Sequence, residues 1–314
     1  MRSTIIPIIL AISLILVGGA LFVVGFSGVD LVKKTVSVVK EIGGDFDNIF
    51  IDVTNADVSF EVAGDGKSSI SYESPEGIEF SAKVENGNLL IEENDTRRWY
   101  EHISIYSIPT KITVFLPADE YGDLTADVTT GDVRVTNGLE FGNIDISITT
   151  GDVKISATVG DFIKVDSTTG DVEISNANVE NIDVSTGSGR VALSDLEVEG
   201  EIKLSTNTGD VKVMKVNCKK LTSTGTTGDI TLEETIATET IFIKLTTGDV
   251  HFVRSDSENI YVNCGTGDVR GSLLTKKIFL ADTTTGSIDV PKTAEGGRCE
   301  IITTTGDIKI TVLS

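Results

Sequence analysis

Carboxylates recur at a fixed spacing along most of this 314-residue chain. An Asp follows the Gly in eight of ten copies of a TTGDV-like motif, and Arg190 and Ser287 fill the other two places. Oxygen ligands of this kind suit Ca²⁺, so the ladder is a candidate metal site. We favour a structural role, because Asp closes tight turns by accepting hydrogen bonds from nearby backbone N–H groups. The ladder comprises Asp132, Asp152, Asp171, Asp210, Asp229, Asp249, Asp268 and Asp307.

An aromatic and basic cluster is a second candidate site. It contains the single Trp of a chain in which only 6% of residues are aromatic. Trp, Tyr and Arg dominate binding hot spots, which would suit contact with a sugar or a protein partner. We favour the alternative that these side chains plug an open end of the β-structure. The cluster comprises Arg97, Arg98, Trp99, Tyr100, His102 and Tyr106.

Residues for other common chemistries are scarce. The two histidines, His102 and His251, lie far apart in sequence, which argues against histidine metal sites and Ser-His or Cys-His catalysis. The three cysteines are odd in number and show no CxxC spacing, so neither a disulfide framework nor a zinc site is indicated. We predict no cofactor. The net charge of -22 argues against nucleic acid as a partner, since binding phosphates requires a basic surface.

The glycines of the repeated motif indicate the elements that position these side chains. Successive glycines lie 19 or 20 residues apart, a regularity typical of a solenoid. Each is predicted to form a structural turn, since Gly adopts positive φ at little cost. The ten are Gly131, Gly151, Gly170, Gly189, Gly209, Gly228, Gly248, Gly267, Gly286 and Gly306.

Apolar residues alternate on both sides of each glycine. Around Gly151, for example, Ile144 and Ile146 precede the turn and Val153 and Ile155 follow it. A spacing of two among β-branched residues indicates strands with one buried face. No helical pattern intervenes between the strands. We therefore predict an all-β fold, a parallel β-solenoid or β-helix with coils of 19–20 residues, preceded by one N-terminal transmembrane helix.

The predicted membrane helix occupies residues 5–26. This segment contains no ionisable side chain, and about 20 apolar residues suffice to cross a bilayer. It exceeds the roughly 7–15 apolar residues of a signal peptide, so we favour an uncleaved, single-pass anchor in the cell membrane over a cleaved signal. The flanking charges do not decide the orientation.

These patterns divide the chain into four parts. Residues 1–29 form the anchor, 30–43 a juxtamembrane linker, 44–122 an N-terminal cap with divergent first coils, and 123–314 the regular solenoid repeats. No polar capping element follows Ile308 and Ile310 near the end of the chain. We therefore expect the C-terminal coil to be a site of end-to-end self-association.

Several segments carry a family resemblance. DFDNIFIDVTNADVSFEV, ITVFLPADEYGDLTADVTTGDVRV and the recurrent TTGDV coils resemble the putative-adhesin family of bacterial and archaeal repeat proteins, first named as a domain of unknown function. The resemblance covers residues 40–314 and extends to the apolar pattern of the N-terminal anchor. It implies an envelope-associated, membrane-anchored β-solenoid, linked in some relatives to envelope-stress systems, and it brings no catalytic residues.

Together these features predict a non-catalytic scaffold of the envelope or cell surface. Its solenoid would lie outside the cytoplasm and bind a protein or a polysaccharide. Two alternatives stay open. A polysaccharide-active β-helix enzyme would need a pair of carboxylates at a groove, and no pair stands out from the ladder. A membrane-tethered regulatory or assembly module of an envelope-stress system would dock another chain at its last coil.

Overall fold

The computed structural model describes residues 35–98 and 110–313, which form 25 β-strands. The first six are β1 (Thr35–Glu41), β2 (Asn48–Val62), β3 (Ser69–Pro75), β4 (Ile78–Glu85), β5 (Asn88–Asp95) and β6 (Thr110–Leu116). The strands of the regular coils follow as β7 (Glu120–Thr130), β8 (Val133–Val135), β9 (Glu140–Thr150), β10 (Val153–Ile155), β11 (Thr158–Thr169), β12 (Val172–Ser175), β13 (Asn178–Val179), β14 (Asn181–Ser188), β15 (Val191–Val198), β16 (Glu201–Thr208), β17 (Val211–Thr227), β18 (Ile230–Glu233), β19 (Ile236–Thr247), β20 (Val250–Thr266), β21 (Val269–Leu273), β22 (Lys277–Thr285), β23 (Ile288–Asp289), β24 (Gly297–Thr305) and β25 (Ile308–Val312).

Each regular coil contributes one strand to each of two faces that meet at the glycine corner. The strands before the glycines form the upstream face, in which β7, β9, β11, β14 and β16 pair in parallel. The strands after the glycines form the downstream face, in which β8, β10, β12 and β15 pair in parallel. The predicted all-β parallel solenoid is therefore confirmed.

The core runs along the axis of the stack. In the coil of Gly170, Ile163 and Val165 of the upstream face and Val172 and Ile174 of the downstream face are all fully buried. The same columns are filled with Ile, Val and Leu in the neighbouring coils. Each coil therefore covers the apolar side chains of the next, which is how a unit of about 20 residues becomes stable only within a stack.

An antiparallel layer covers the N-terminal end of the stack. Strand β2 forms the first coil, and β5 and β6 pair with it in parallel on the side away from β7 and β8. Beyond them β4 pairs antiparallel with β5, β3 pairs antiparallel with β6, and β1 pairs antiparallel with β3. The change to antiparallel pairing ends the parallel stack at this end.

At the other end, the order of the coils in space differs from their order in sequence. Strand β24 lies between β20 and β22, and β25 lies between β21 and β23. The last coil of the sequence is thus inserted beneath the preceding one, and Ile310 is only 2% exposed. This differs from the expectation that Ile308 and Ile310 mark the open end. The outermost coil is formed by β22 and β23.

Glycines allow the chain to cross back into this inserted position. A Cβ on Gly296 would lie 1.8 Å from the carbonyl oxygen of Lys276, and one on Gly297 would lie 1.7 Å from that of Glu258. Any side chain here would keep the returning segment away from the coils it crosses. The Gly-Gly pair therefore permits the close crossing that precedes β24.

The predicted transmembrane helix at residues 5–26 lies outside the described residues. Within residues 35–98 and 110–313, no helix is long and apolar enough to cross a membrane.

Candidate binding groove

The glycine corners stack unusually closely. All ten glycines have φ between +132° and +151°. A Cβ on Gly170 would lie 1.9 Å from the carbonyl oxygen of Gly151 in the adjacent coil. The first coil turns at Ala56, which does not have positive φ. The corner of the regular coils therefore requires glycine both for its backbone conformation and for the approach of the next coil.

The Asp ladder ties each coil to the next. The Asp152 N–H donates to Oδ1 of Asp132 at 3.0 Å, and the Asp171 N–H donates to Oδ1 of Asp152 at 2.8 Å. This differs from the turn closure expected from the sequence, because the carboxylate accepts from the next coil rather than from its own turn. The same bond joins further coils, with donors Asp132, Arg190, Asp229, Asp249, Asp268, Asp307 and Ser287.

The outermost bond of the ladder confirms the spatial order of the coils. Both the N–H and the hydroxyl of Ser287 donate to Oδ1 of Asp307, at 2.8 and 2.9 Å. These bonds stabilise the charged form and lower the pKa of the Asp307 carboxyl. Within residues 35–98 and 110–313, no group of three or more His, Cys, Asp and Glu side chains is arranged to hold a metal ion. Because Oδ1 of the bonded carboxylates is already engaged, we propose no calcium site.

A long polar groove runs along the upstream face beside the glycine corners. Its outer wall is one column of side chains, four residues before each corner, held in register from coil to coil. Two adjoining cavities of about 380 and 560 Å³, which share Ser185, make up the groove. The wall column comprises Asp52, Asp127, Ser147, Asp166, Ser185, Ser205, Thr224 and Lys244.

The charge changes along the groove. Its N-terminal half is acidic through Asp52, Asp127 and Asp166, the next three coils have only hydroxyl groups on the wall, and Lys244 lies at the other end. Eight coils at the usual strand spacing of about 4.8 Å span roughly 34 Å between the first and last wall residues. The groove therefore offers a line of hydrogen-bonding groups rather than one enclosed site.

The inward column beneath the groove, three residues before each corner, contains buried hydroxyl groups. Val128 and Ile148 form its first two positions, and Ser167, Thr186 and Thr206 the next three. The hydroxyl oxygens of Ser167 and Thr186 are buried and have no hydrogen-bond partner among the described residues. An aliphatic side chain fits this column elsewhere, so the stacking itself does not require these hydroxyls. The repeated motif did not predict these hydroxyls, because alternation shows only that the column faces inward.

The aromatic and basic cluster is described only in part. Trp99, Tyr100, His102 and Tyr106 lie outside the described residues. Arg97 forms hydrogen bonds from its backbone N–H and its Nε to Oδ1 of Asp95, both at 2.9 Å. These contacts place Arg97 beside the end of β5, in the layer that covers the first coil. The role of the cluster stays a prediction.

The cysteines are buried, as small apolar residues are. Burial raises the pKa of the Cys218 and Cys299 thiols to about 12 and also raises that of Cys264. Thiols in this environment are poor nucleophiles and poor metal ligands. His251 lies on the downstream face, paired in register with Thr231 and Arg270, and is not part of the groove.

A buried ion pair near the C-terminal end was not predicted from the sequence. Nζ of Lys277 lies 2.6 Å from Oδ1 of Asp256, and the two side chains are 3% and 8% exposed. Asp256 Oδ1 also accepts a hydrogen bond from the Ser257 N–H at 2.8 Å. Neither residue belongs to the repeated columns, so no periodic signal could pair them. The ion pair joins β20 to the outermost coil, two positions further along the stack.

Comparison with solved structures finds several β-proteins of similar extent. A crystal structure described as a "putative adhesin" from Bacteroides fragilis has 15% sequence identity and a TM-score of 0.46, over 91% of this chain and 100% of that one. Another "putative adhesin", from Parabacteroides distasonis, has 12% identity and a TM-score of 0.48, over 89% and 98%. A "putative lipid binding protein" from the same species has 18% identity and a TM-score of 0.45, over 76% and 94%.

Comparison with families gives a more specific result. No curated protein matches the chain. The model of the Toastrack DUF4097 family matches residues 46–207 and 200–313, which together cover nearly all of the solenoid and its cap. This chain therefore belongs to the Toastrack DUF4097 family.

Proposed function

We propose that this protein is a non-catalytic binding scaffold of the cell envelope, and that its groove holds an extended polysaccharide. The observation that carries the proposal is the unbroken line of polar wall residues over eight coils in register. A polysaccharide lying along the stack would meet a similar set of hydrogen-bonding groups at each coil. Contacts that are individually weak then add up along the chain.

Hydroxyl groups also line the other side of the groove. Thr129, Thr149 and Thr168 are exposed and lie two residues before successive corners, and Thr226 and Thr246 continue the same column. A ligand lying between this column and the wall column would meet hydrogen-bonding groups on both sides. The buried hydroxyls of Ser167 and Thr186 lie beneath this surface and do not contact the ligand.

The geometry favours a scaffold over a polysaccharide-cleaving enzyme. Asp52 and Asp127 are opposite each other in register and form the closest pair of wall carboxylates. Glycoside hydrolysis requires one carboxyl to be protonated, which enzymes achieve by burying it in an apolar pocket. Both of these side chains are exposed. We therefore expect wild-type protein to bind polysaccharide without releasing reducing ends.

We also propose that residues 5–26 anchor the protein in the membrane with the solenoid outside the cytoplasm. The length and composition of this segment support an anchor. Protease added to intact cells should digest the solenoid. Protection in intact cells together with digestion after lysis would overturn this orientation.

Substitution of two threonines tests the groove. Thr168→Val removes an exposed hydroxyl that lines the groove and keeps the shape of the side chain, so we expect unchanged stability but weaker binding. Thr235→Val is the matched control, because the Thr235 hydroxyl donates to the carbonyl of Val213 at 3.1 Å and lies outside the groove. This control should lower stability and leave binding unchanged.

Binding is measured by co-sedimentation of the full-length protein with insoluble polysaccharides, including cell-wall sacculi, chitin and cellulose. Stability is measured by urea unfolding. Equal binding by wild type and Thr168→Val would contradict a role for the groove. Failure of the wild-type protein to sediment with any of these polymers would contradict the proposed ligand class.

A further inference from the structure

The outermost coil leaves one backbone edge open. Strand β22 pairs with β24 on one side, and β23 pairs with β25 on one side. Among residues 35–98 and 110–313, no strand lies on the opposite side of either. Free edges of this kind recruit other strands unless charges, prolines or bulges block them. Among the described strands at the N-terminal end, β1 and β4 also pair on one side only, but charged side chains lie along these edges, including Lys40, Glu41, Glu79, Lys83 and Glu85.

Apolar side chains surround this open edge. Ile278, Leu280 and Ile288 are 43%, 48% and 45% exposed. Phe279 and Ala281 occupy inward columns but are only partly buried, whereas Cys299 and Ile301 in the coil beneath are completely covered. The end of the stack therefore exposes a cross-section of the core. Lys277, which would otherwise place a charge on the edge, is turned inward to Asp256.

The local charge favours contact between two such ends. Residues 274–298 carry four basic and three acidic side chains, whereas the whole chain has a net charge of -22. Two acidic rods repel each other along their sides, but their open ends can approach without that repulsion. The charge pattern thus favours self-association through this surface.

We infer that two copies of this chain associate end to end by antiparallel pairing of β22 with its twofold-related copy. A twofold axis at Phe279 places Ile278 opposite Leu280 and Lys276 opposite Asp282 of the second copy, on the outer side of the sheet. On the inner side, the two Phe279 rings meet and the two cores become continuous. Isologous contacts of this type close on themselves and give a dimer rather than a filament.

The dimer has a consequence for adhesion, which rests on the proposed membrane anchor. In each copy, β1 lies at the end of the stack opposite β22. The twofold dimer therefore places the two N-terminal segments at opposite ends of a rod of about 130 Å, given about 4.8 Å per strand along the stack. Two anchored copies on one flat membrane cannot adopt this arrangement easily. Two copies on facing membranes can, so the contact would join membranes by homophilic adhesion.

Introduction of a charge at the apolar edge tests the contact. We expect full-length protein in detergent to be a dimer by light scattering, and Leu280→Asp to weaken dimerisation by 100-fold or more because it places two charges in an apolar contact. Phe242→Asp is the matched control, since Phe242 occupies the same outward column at 38% exposure, away from the end. It should dimerise like wild type.

Exchange of the opposed charges tests the register. Lys276→Asp and Asp282→Lys should each weaken the dimer by about tenfold, since each turns two attractive cross-strand pairs into repulsive ones. The double variant should restore it. Both side chains are exposed, and Lys276 also forms an exposed ion pair with Glu295 at 3.7 Å, so urea unfolding of each variant is the control for monomer stability. A monomer at all concentrations, an unaffected Leu280→Asp dimer, or a filament that grows with concentration would overturn the inference.

Clustering of proteoliposomes tests adhesion between membranes separately from the proposed ligand. Full-length protein reconstituted into vesicles should cluster them without added polysaccharide, and Leu280→Asp should abolish clustering. Dimerisation in detergent without clustering would retain the contact and reject adhesion between membranes. Loss of polysaccharide binding in Thr168→Val with unchanged dimerisation would show that the groove and the end act independently.

Discussion

Addition of a single methyl group at a corner glycine tests how closely adjacent coils stack. In Gly170→Ala, the new Cβ would lie 1.9 Å from the carbonyl oxygen of Gly151, and contacts of this type do not occur below 3.0 Å. The two corners would have to separate by about 1.1 Å. The residue would also keep a φ of +143°, which a side chain rarely tolerates.

The magnitude follows from the bonds that join these corners. The Gly151 N–H donates to the Thr169 carbonyl at 3.0 Å, the Val153 N–H to the Asp171 carbonyl at 2.9 Å, and the Asp171 N–H to Asp152 at 2.8 Å. A further 1.1 Å takes such bonds outside hydrogen-bonding distance.

Loss of these three bonds costs about 1.5–4.5 kcal/mol, and the backbone conformation costs about 1–3 kcal/mol more. We therefore expect Gly170→Ala to lower the free energy of unfolding by about 2.5–7.5 kcal/mol.

Urea unfolding followed by circular dichroism measures this loss, and hydrogen exchange should show it concentrated in the coils of Gly151 and Gly170. Gly160→Ala is the matched control, because its Cβ would meet nothing closer than 3.9 Å and its φ is not positive. That change should be neutral or stabilise by up to about 1 kcal/mol. If the two variants differed by less than about 1 kcal/mol, close stacking of the corners would not explain the glycines.

Three further predictions concern the ladder, the thiols and the buried ion pair. Arg190→Asn supplies an acceptor for the Asp210 N–H and should be about 0.5–1.5 kcal/mol more stable than Arg190→Ala in urea unfolding; equal stabilities would contradict the ladder's energetic role. Cys218, with its thiol pKa raised to about 12, should not react with a thiol reagent at pH 8 until the protein unfolds, and rapid labelling of native protein would refute this. Lys277→Met should destabilise by about 3–5 kcal/mol because it leaves Asp256 buried without its cation, and Lys277→Met with Asp256→Leu should recover much of that loss, as thermal unfolding would show.

The fold could be predicted because its determinants repeat. Ile163, Val165, Val172 and Ile174 are inward in one coil, and residues at the same distances from each glycine are inward in the others. Because the same pattern occurs in ten coils, it defines the register between neighbouring strands. The family resemblance, which depends on the same segments, is confirmed by the match to the Toastrack DUF4097 family.

The order of the last two coils could not be predicted in this way. Gly286 and Gly306 are 20 residues apart, a spacing that also occurs where successive coils stack in sequence order. A periodic pattern identifies coils but does not state which coil lies on which. The order depends on contacts between non-repeated residues, namely the crossing at Gly296 and Gly297 and the ion pair of Lys277.

The groove escaped prediction for a related physical reason. Alternation identifies Asp127 and Thr129 as outward positions, but it does not show that their two columns enclose a groove, which only the three-dimensional arrangement reveals. The inward columns of a solenoid stabilise the stack, so specific binding depends on outward positions that vary from coil to coil and on ends that are not covered. The varied wall of the groove and the uncovered outermost coil are two such features, and this is why we assign binding to the first and self-association to the second.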